Sequence, residues 1–195
     1  MSQSPVERAC RISPHRLRHA ARVLRAGGVV AHATEGVWGL ACDAFDLDAV
    51  MRILALKRRD AARGLIVVAH SADALAPFVD PDAQAAWQRA HASWPGPTTW
   101  LLPARDTAPW WLTGAHDTIA LRQTAHPETA ALAATLGSAL VSTSANVSGR
   151  PPVRSAWRAR ALFGDGIDCV AGGVCDRPGV PSTIRHALDD TTIRG

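Results

Sequence analysis

Apolar and polar positions alternate along the chain in blocks that predict strands and helices in turn. Ser13 can cap a helix with Pro14 at its first position, and the spacing Leu17, Ala20, Ala21, Leu24 turns one face inward until Gly27 and Gly28 end it. The run VVAHAT at 29–34 reads as a strand. Asp46 opens a second helix with Leu47, Val50, Met51 and Leu54 on one face, ending near Lys57, and GLIVVAH then reads as a buried strand. Asp80 and Pro81 predict a helix lasting to about His91. Further strands are predicted at TTWLLPA, TIALRQT, ALVSTS, IDCVAG and STIRHAL, with short helices over 127–136 and 155–163. Several strand connections lack a helix. The pattern therefore predicts an α/β (α+β) fold, a twisted mixed sheet flanked by helices, with polar motifs at strand ends where such sheets hold ligands.

The chain has 195 residues, 47% of them hydrophobic, which is enough for one core and is expected to form a single domain over 1–195, with 1–13 as a candidate flexible lead. No stretch approaches the roughly 18–20 apolar residues that span a bilayer, and no apolar signal core opens the sequence. The four cysteines form no C-x-x-C pair, so neither a zinc ribbon nor a disulfide framework is indicated, and a reduced, cytoplasmic setting is expected. Lys and Arg number 21 against 17 Asp and Glu, a formal charge of +4 that biases the protein toward anionic partners. Lys57 is the only lysine. Arg18, Arg22 and Arg25 share one helical face, which reads as solvated or as a contact for tRNA or a partner protein. Most of the seven tryptophans should be core, with Trp110-Trp111 the expected exposed pair.

Three motifs carry candidate chemistry. In ATEGVWGLACD, Thr34 and Glu35 leave a strand end and are followed by Gly36 and Gly39, a place for a small ligand with an amine or hydroxyl, or a plain turn. In LKRRDAARG, Lys57, Arg59 and Arg63 gather near a helix end. Such cations complement the helix dipole and add little stability, and they can also hold successive phosphates. In LVSTSANVSGRPP, Ser142 and Ser144 share one side of a strand end, and Asn146 and Ser148 continue the polar lining into the turn. That lining suits phosphate or carboxylate oxygens, or a turn bonded to itself. No G-x-S-x-G elbow accompanies it, which argues against a serine nucleophile.

ATEGVWGLACD, LKRRDAARGLIVVA, SWPGPTTWLLPA, TIALRQTAHP, LVSTSANVSGRPP and PSTIRHAL with TTIRG follow the order and spacing of the threonylcarbamoyl-AMP synthases, the YrdC/TsaC-type enzymes of tRNA modification, which the chain resembles over about residues 14–195. The pairs Lys57/Arg59 and Ser144/Asn146 match that family's signatures. The resemblance implies a YrdC-like fold with a concave basic ligand cavity. It implies a nucleotidyltransferase that joins L-threonine, bicarbonate and ATP into threonylcarbamoyl-adenylate and pyrophosphate, with Mg2+ accompanying ATP and no protein nucleophile or protein-held metal. By matching position, Thr34, Arg122, Ser142 and Ser182 should contact threonine. Lys57, Arg59, Arg63, Thr118, Ser144, Asn146 and Arg194 should contact ATP. Downstream threonylcarbamoyl-transferase proteins and tRNA are the implied further partners.

The chain departs from the family's usual residues at His32-Ala33, where tyrosine-proline is usual, at Asp60, often proline, and at Pro181, usually glutamate; Trp38 replaces the usual tyrosine or phenylalanine. The competing reading is an RNA-binding or ribosome-maturation module using the same basic concavity, which would need a broad basic surface that +4 supplies only modestly. The related carbamoyl-transfer domain of hydrogenase maturation normally sits beside zinc-finger and acylphosphatase-like parts, which this sequence does not contain.

Overall fold

A computed structural model of the chain describes residues 10–175, 179 and 182–194. The first helix, α1 (Pro14–Arg25), starts where predicted, with the Ser13 hydroxyl accepting from the Arg16 amide, and Leu17, Ala20, Ala21 and Leu24 are its buried face. The chain then forms β1 (Val30–Ala33) and β2 (Trp38–Asp43), an antiparallel hairpin with His32 opposite Gly39. β2 escapes the sequence pattern because Gly39 interrupts its apolar run, where the packing is tight. A Cβ on Gly39 would lie 3.1 Å from the Thr143 carbonyl oxygen and 3.1 Å from Thr34 Cγ2.

Next come α2 (Leu47–Lys57), capped by the Asp46 carboxylate at 2.9 Å from the Ala49 amide, and β3 (Ile66–Ala69). The third helix, α3 (Gln84–Ser93), begins later than the sequence predicts. The Asp80 carboxylate accepts from the Asp82 amide at 2.9 Å, so Asp80-Pro81 makes a turn that precedes the helix instead of capping it. The rest is β4 (Thr98–Pro103), the one-turn α4 (Trp110–Thr113), β5 (Thr118–Gln123), α5 (Pro127–Leu136), β6 (Leu140–Ser144), α6 (Ala156–Phe163), β7 (Cys169–Gly172), β8 (Thr183–His186) and β9 (Thr192–Arg194).

The strands form one mixed nine-stranded sheet in the order β7-β1-β2-β6-β3-β5-β4-β8-β9. β1/β7, β3/β5 and β4/β8 run parallel, while the other neighbours are antiparallel. One face carries the larger core: Leu40, Val67, Trp100, Leu102, Ile119, Leu121 and Val141 pack there with buried residues of α2, α3, α4 and α6. On the other face α1 and α5 cover Val30, Val68, Leu140 and Ala171. Ile12, just ahead of α1, joins that second core.

Register places the polar motifs. Paired residues point to the same side, so the pairs His32↔Gly39, Gly39↔Ser144, Ala41↔Ser142, Val68↔Leu140, Val68↔Arg122, Leu101↔Ala120, Pro103↔Thr118, Thr99↔Ile184 and Ile184↔Arg194 put His32, Ser142, Ser144, Thr118, Arg122 and Arg194 on the α1/α5 face. Among the described residues, the helices touching β4 and β5 lie on the opposite face. Accordingly Thr118, Ala120 and Leu101 are only half-buried. The candidate residues thus stand where the helical layer stops and the sheet lies open. Trp38, Trp94 and Trp100 are core, whereas Trp110 and Trp157 are exposed; Trp111, expected beside Trp110 at the surface, instead packs inward and donates to the Ala44 carbonyl at 3.1 Å. No described helix is long and apolar enough to cross a membrane.

Candidate active site

Lys57 is the last residue of α2, and Arg58 after it takes a left-handed conformation (φ 49°) that turns the chain sharply. The Lys57 side chain is driven inward rather than splayed at the helix end, leaving it 2% exposed. Its ammonium donates to the Ser144 carbonyl, to the Asn146 carbonyl at 3.1 Å and to Asn146 Oδ1 at 3.2 Å. Lys57 is therefore not a solvated helix-end cation: all three of its protons serve the loop after β6. Burial, and then the neighbouring Arg59, push the ammonium down to about 8 from the ordinary 10.5.

That loop is bonded to itself as well. Ser144 Oγ donates to Asn146 Oδ1 at 2.6 Å, and Asn146 Nδ2 donates to the carbonyls of Val147 (3.0 Å) and Arg150 (2.7 Å). The Ser148 amide returns to the Lys57 carbonyl at 2.8 Å. Lys57, Ser144 and Asn146 are thus brought together as one scaffold, and a ligand on these side chains would share or displace bonds already made. Thr34 behaves alike: its hydroxyl donates to the Val37 carbonyl at 2.8 Å, closing the β1–β2 turn, which leaves its lone pairs for a ligand.

The cations converge from three parts of the chain. Asp60 caps a 3-10 turn, Ala61–Arg63, by accepting from the Ala62 amide at 2.9 Å, so this departure from proline still builds an ordered basic loop. The loop is clamped by the segment after α4. Ala115 donates to the Ala62 carbonyl at 2.9 Å, and a Cβ on Gly114 (φ 65°) would come within 2.5 Å of that oxygen. Arg59 donates to the Gly64 carbonyl at 2.9 Å, while its Nε is buried without a partner. Burial first, then the nearby Arg63 and Arg194, lower the Arg59 guanidinium from its ordinary value, which locates these three arginines together. Arg194 reaches the cluster from β9 and donates to the Ser182 carbonyl (3.1 Å) and hydroxyl (3.2 Å).

Arg122 links this cluster to the first motif. It is buried on β5, forms a 3.3 Å ion pair with Glu35 and keeps its Nε without a partner, and Arg194 is close enough to act on its charge. Glu35 also accepts from Thr124 Oγ1 at 2.8 Å. Burial alone would raise the Glu35 carboxyl, but Arg122, with backbone and Thr124 bonds, outweighs it and holds it below the usual range. A guanidinium buried beside a single carboxylate, with one N–H unsatisfied, is a seat for a second carboxylate.

Structure adds residues that periodicity does not mark. Thr124, His126 and Thr129 lie where β5 passes into α5, and His126 caps that helix. With His32 they form a buried polar chain ending on Ser142. The sequence signal was faint: a His-Pro at a helix start and a histidine inside an apolar strand. Pro181 lies outside the described residues. Among the described residues no cluster of three or more His, Cys, Asp or Glu side chains is placed to hold a metal.

Fold and site together define an α/β protein with an open sheet face where clustered arginines, Arg122 among them buried, and a hydroxyl-lined loop meet, suited to ligands bearing phosphate and carboxylate. The family described as Telomere recombination, Sua5/YciO/YrdC, matches residues 22–194, and the chain belongs to it. It is 49% identical to a threonylcarbamoyl-AMP synthase of Halorhodospira halophila, over 93% of this chain and 95% of the relative. It is 44% identical to another of that name from Cellvibrio japonicus, over 92% and 95%. The crystal structure of P. abyssi Sua5 complexed with L-threonine superposes with a TM-score of 0.81 at 34% identity, covering 90% of this chain and 52% of that one, so the chain spans about half the length of Sua5. E. coli YciO shares the fold, with a TM-score of 0.77 at 22% identity over 93% of this chain and 88% of YciO.

Proposed function

We infer that this chain is a threonylcarbamoyl-AMP synthase, an enzyme of the pathway that installs N6-threonylcarbamoyladenosine in tRNA. The observation that carries the reading is near-end-to-end identity of 43–49% to relatives bearing that name. The amine of L-threonine and bicarbonate combine to a carbamate with loss of water. A carbamate oxygen then attacks the α-phosphorus of ATP, the bond to the bridging oxygen breaks, and pyrophosphate leaves.

The site's chemistry supports this division of labour. Arg122, with an N–H to spare, suits the threonine carboxylate, and Thr34, Ser142 and Ser182 supply the neighbouring polar contacts. Arg59, Arg63 and Arg194 suit a triphosphate whose negative charge grows on the leaving oxygens. Lys57, Ser144, Asn146 and Thr118 complete the basic concavity on the ATP side, Lys57 and Asn146 by setting the loop and Ser144 by standing between the substrates. ATP enters as its Mg2+ complex, with the ion as part of the substrate, which agrees with a cationic site where Glu35 is committed to Arg122 and Asp60 to the Ala62 amide. Catalysis then consists of positioning and charge compensation. The product, a mixed anhydride that water destroys, calls for a threonylcarbamoyl-transferase close by in the cytoplasm.

The test is pyrophosphate release by the purified protein with MgATP and bicarbonate. Release should require L-threonine and fall sharply with serine or alanine. Release that ignores the amino acid would refute the reading.

A further inference from the structure

The buried chain from Ser142 to His126 fixes where each proton sits. The carbonyl of Val174 can only accept, so His126 Nε2 donates to it at 2.9 Å. The Thr129 amide points at His126 Nδ1 at 3.4 Å. The single proton of the Thr129 hydroxyl has two near acceptors, His126 Nδ1 at 3.0 Å and the Ala33 carbonyl at 3.2 Å. Whichever takes it, the Thr129 oxygen offers only lone pairs to His32 Nδ1, 3.4 Å away, so that nitrogen must be the donor.

A neutral imidazole has one N–H. With Nδ1 protonated, His32 Nε2 is bare, and it faces Ser142 Oγ at 3.4 Å. The ring stays neutral because it is fully enclosed. Burial first, then His126, with Arg122 adding to them, disfavour a second proton and outweigh Glu35 and the Ala33 carbonyl, so the ring is pushed down to about 4. Glu128 stands behind His126, 3.5 Å from its Nε2.

We propose that His32 is a positioning residue for the threonine subsite: its bare Nε2 draws the Ser142 hydroxyl proton inward, so Ser142 presents lone pairs, and therefore an acceptor, to the amine of the bound amino acid. This rests on the synthase reading and deepens it, giving Ser142 the polarity that Arg122 lacks. Arg122 donates to the carboxylate while Ser142 accepts from the nitrogen that becomes the carbamate. The sequence places histidine where the family usually has tyrosine, so the device belongs to this chain's own residues.

Two measurements decide it. Long-range 1H–15N correlation spectra of the unliganded protein should show His32 as the neutral Nδ1–H tautomer at pH 7. An Nε2–H tautomer or an imidazolium would overturn the proposal whether or not the protein makes the adenylate. In the pyrophosphate assay, His32→Phe should raise the threonine KM roughly tenfold, the worth of one hydrogen bond in an enclosed site, with the ATP KM changed by less than about twofold. His32→Gln, which offers one donor and one acceptor in the same order, should restore most of the affinity. Adding His32→Phe to Ser142→Ala should cost nothing further, since His32 acts through that hydroxyl. Multiplying effects, or a lower melting temperature with an unchanged threonine KM, would sink it.

Discussion

Replacing Lys57 by methionine removes an ammonium while keeping most of its volume, and the structure sets what that should do. The Asn146 carbonyl loses its donor, while the Ser144 carbonyl keeps the Asn146 amide at 3.0 Å and Asn146 Oδ1 keeps the Ser144 hydroxyl. A buried acceptor left bare costs about 1–3 kcal/mol. Against this, the folded ammonium gives up its proton at about 8 and an ordinary lysine at 10.5, so confining the charge costs about 3 kcal/mol that the methionine does not bear. The two effects nearly cancel at pH 7, where Lys57→Met should lose no more than about 2 kcal/mol, a Tm drop of about 4–8 °C for a chain of this size. The pH slope separates them. Between pH 8 and 10.5 the unfolded chain holds the lysine proton and the folded one does not, so wild-type stability rises relative to Lys57→Met, by up to about 3 kcal/mol. Urea titrations of both proteins from pH 7 to 10.5 read this difference, and groups common to both cancel. A difference that stays flat would refute the claim that Lys57 is desolvated by the loop it holds.

Glu35→Gln should leave Arg122 buried beside no counter-charge and cost about 3 kcal/mol at neutral pH, read by urea titration. The stability Glu35 supplies is present above the ordinary carboxylate range and lost as pH falls through its lowered folded value, so wild type and variant should converge in acid. Gly39→Ala should destabilise by about 1–3 kcal/mol, because the new methyl meets the Thr143 carbonyl and Thr34; an unchanged Tm would refute the close packing. Arg194→Ala should raise the ATP KM while shifting Tm by less than about 2 °C, its exposed guanidinium being held, among the described residues, by Ser182. Chelating Mg2+ should abolish pyrophosphate release, and full activity in excess EDTA would contradict MgATP as substrate.

Much of this architecture was legible where one local rule acts alone. Ser13 and Asp46 cap the helices they were expected to open, Pro127–Leu136 is a helix to the residue, and Ser155, expected as the first residue of its helix, caps it instead. The limits appear where distant segments decide. Gly39 hides β2 from a pattern search because the tight packing there is set by His32, Thr34 and Thr143, which periodicity cannot bring together. β9 is three exposed residues whose strand character comes only from pairing with β8. Sequence grouped Ser144 with Asn146 and Lys57 with Arg59, but not the bond from one pair to the other, since that contact spans 87 residues. Nor could it show that Glu35 meets Arg122, or that His32 and His126 meet through Thr129. Each of these is a single polar contact inside a core, and composition carries no trace of it.

The placement of β9 has a consequence for damaged copies of the gene. Arg194 comes from the final strand at one border of the sheet, whereas both hydrophobic cores draw almost wholly on residues before 172. A polypeptide that ended just before β9 would keep the residues of both cores, yet lack the guanidinium proposed for the nucleotide subsite. Such a product would be a quiet loss, invisible to a solubility screen and apparent only in the tRNA.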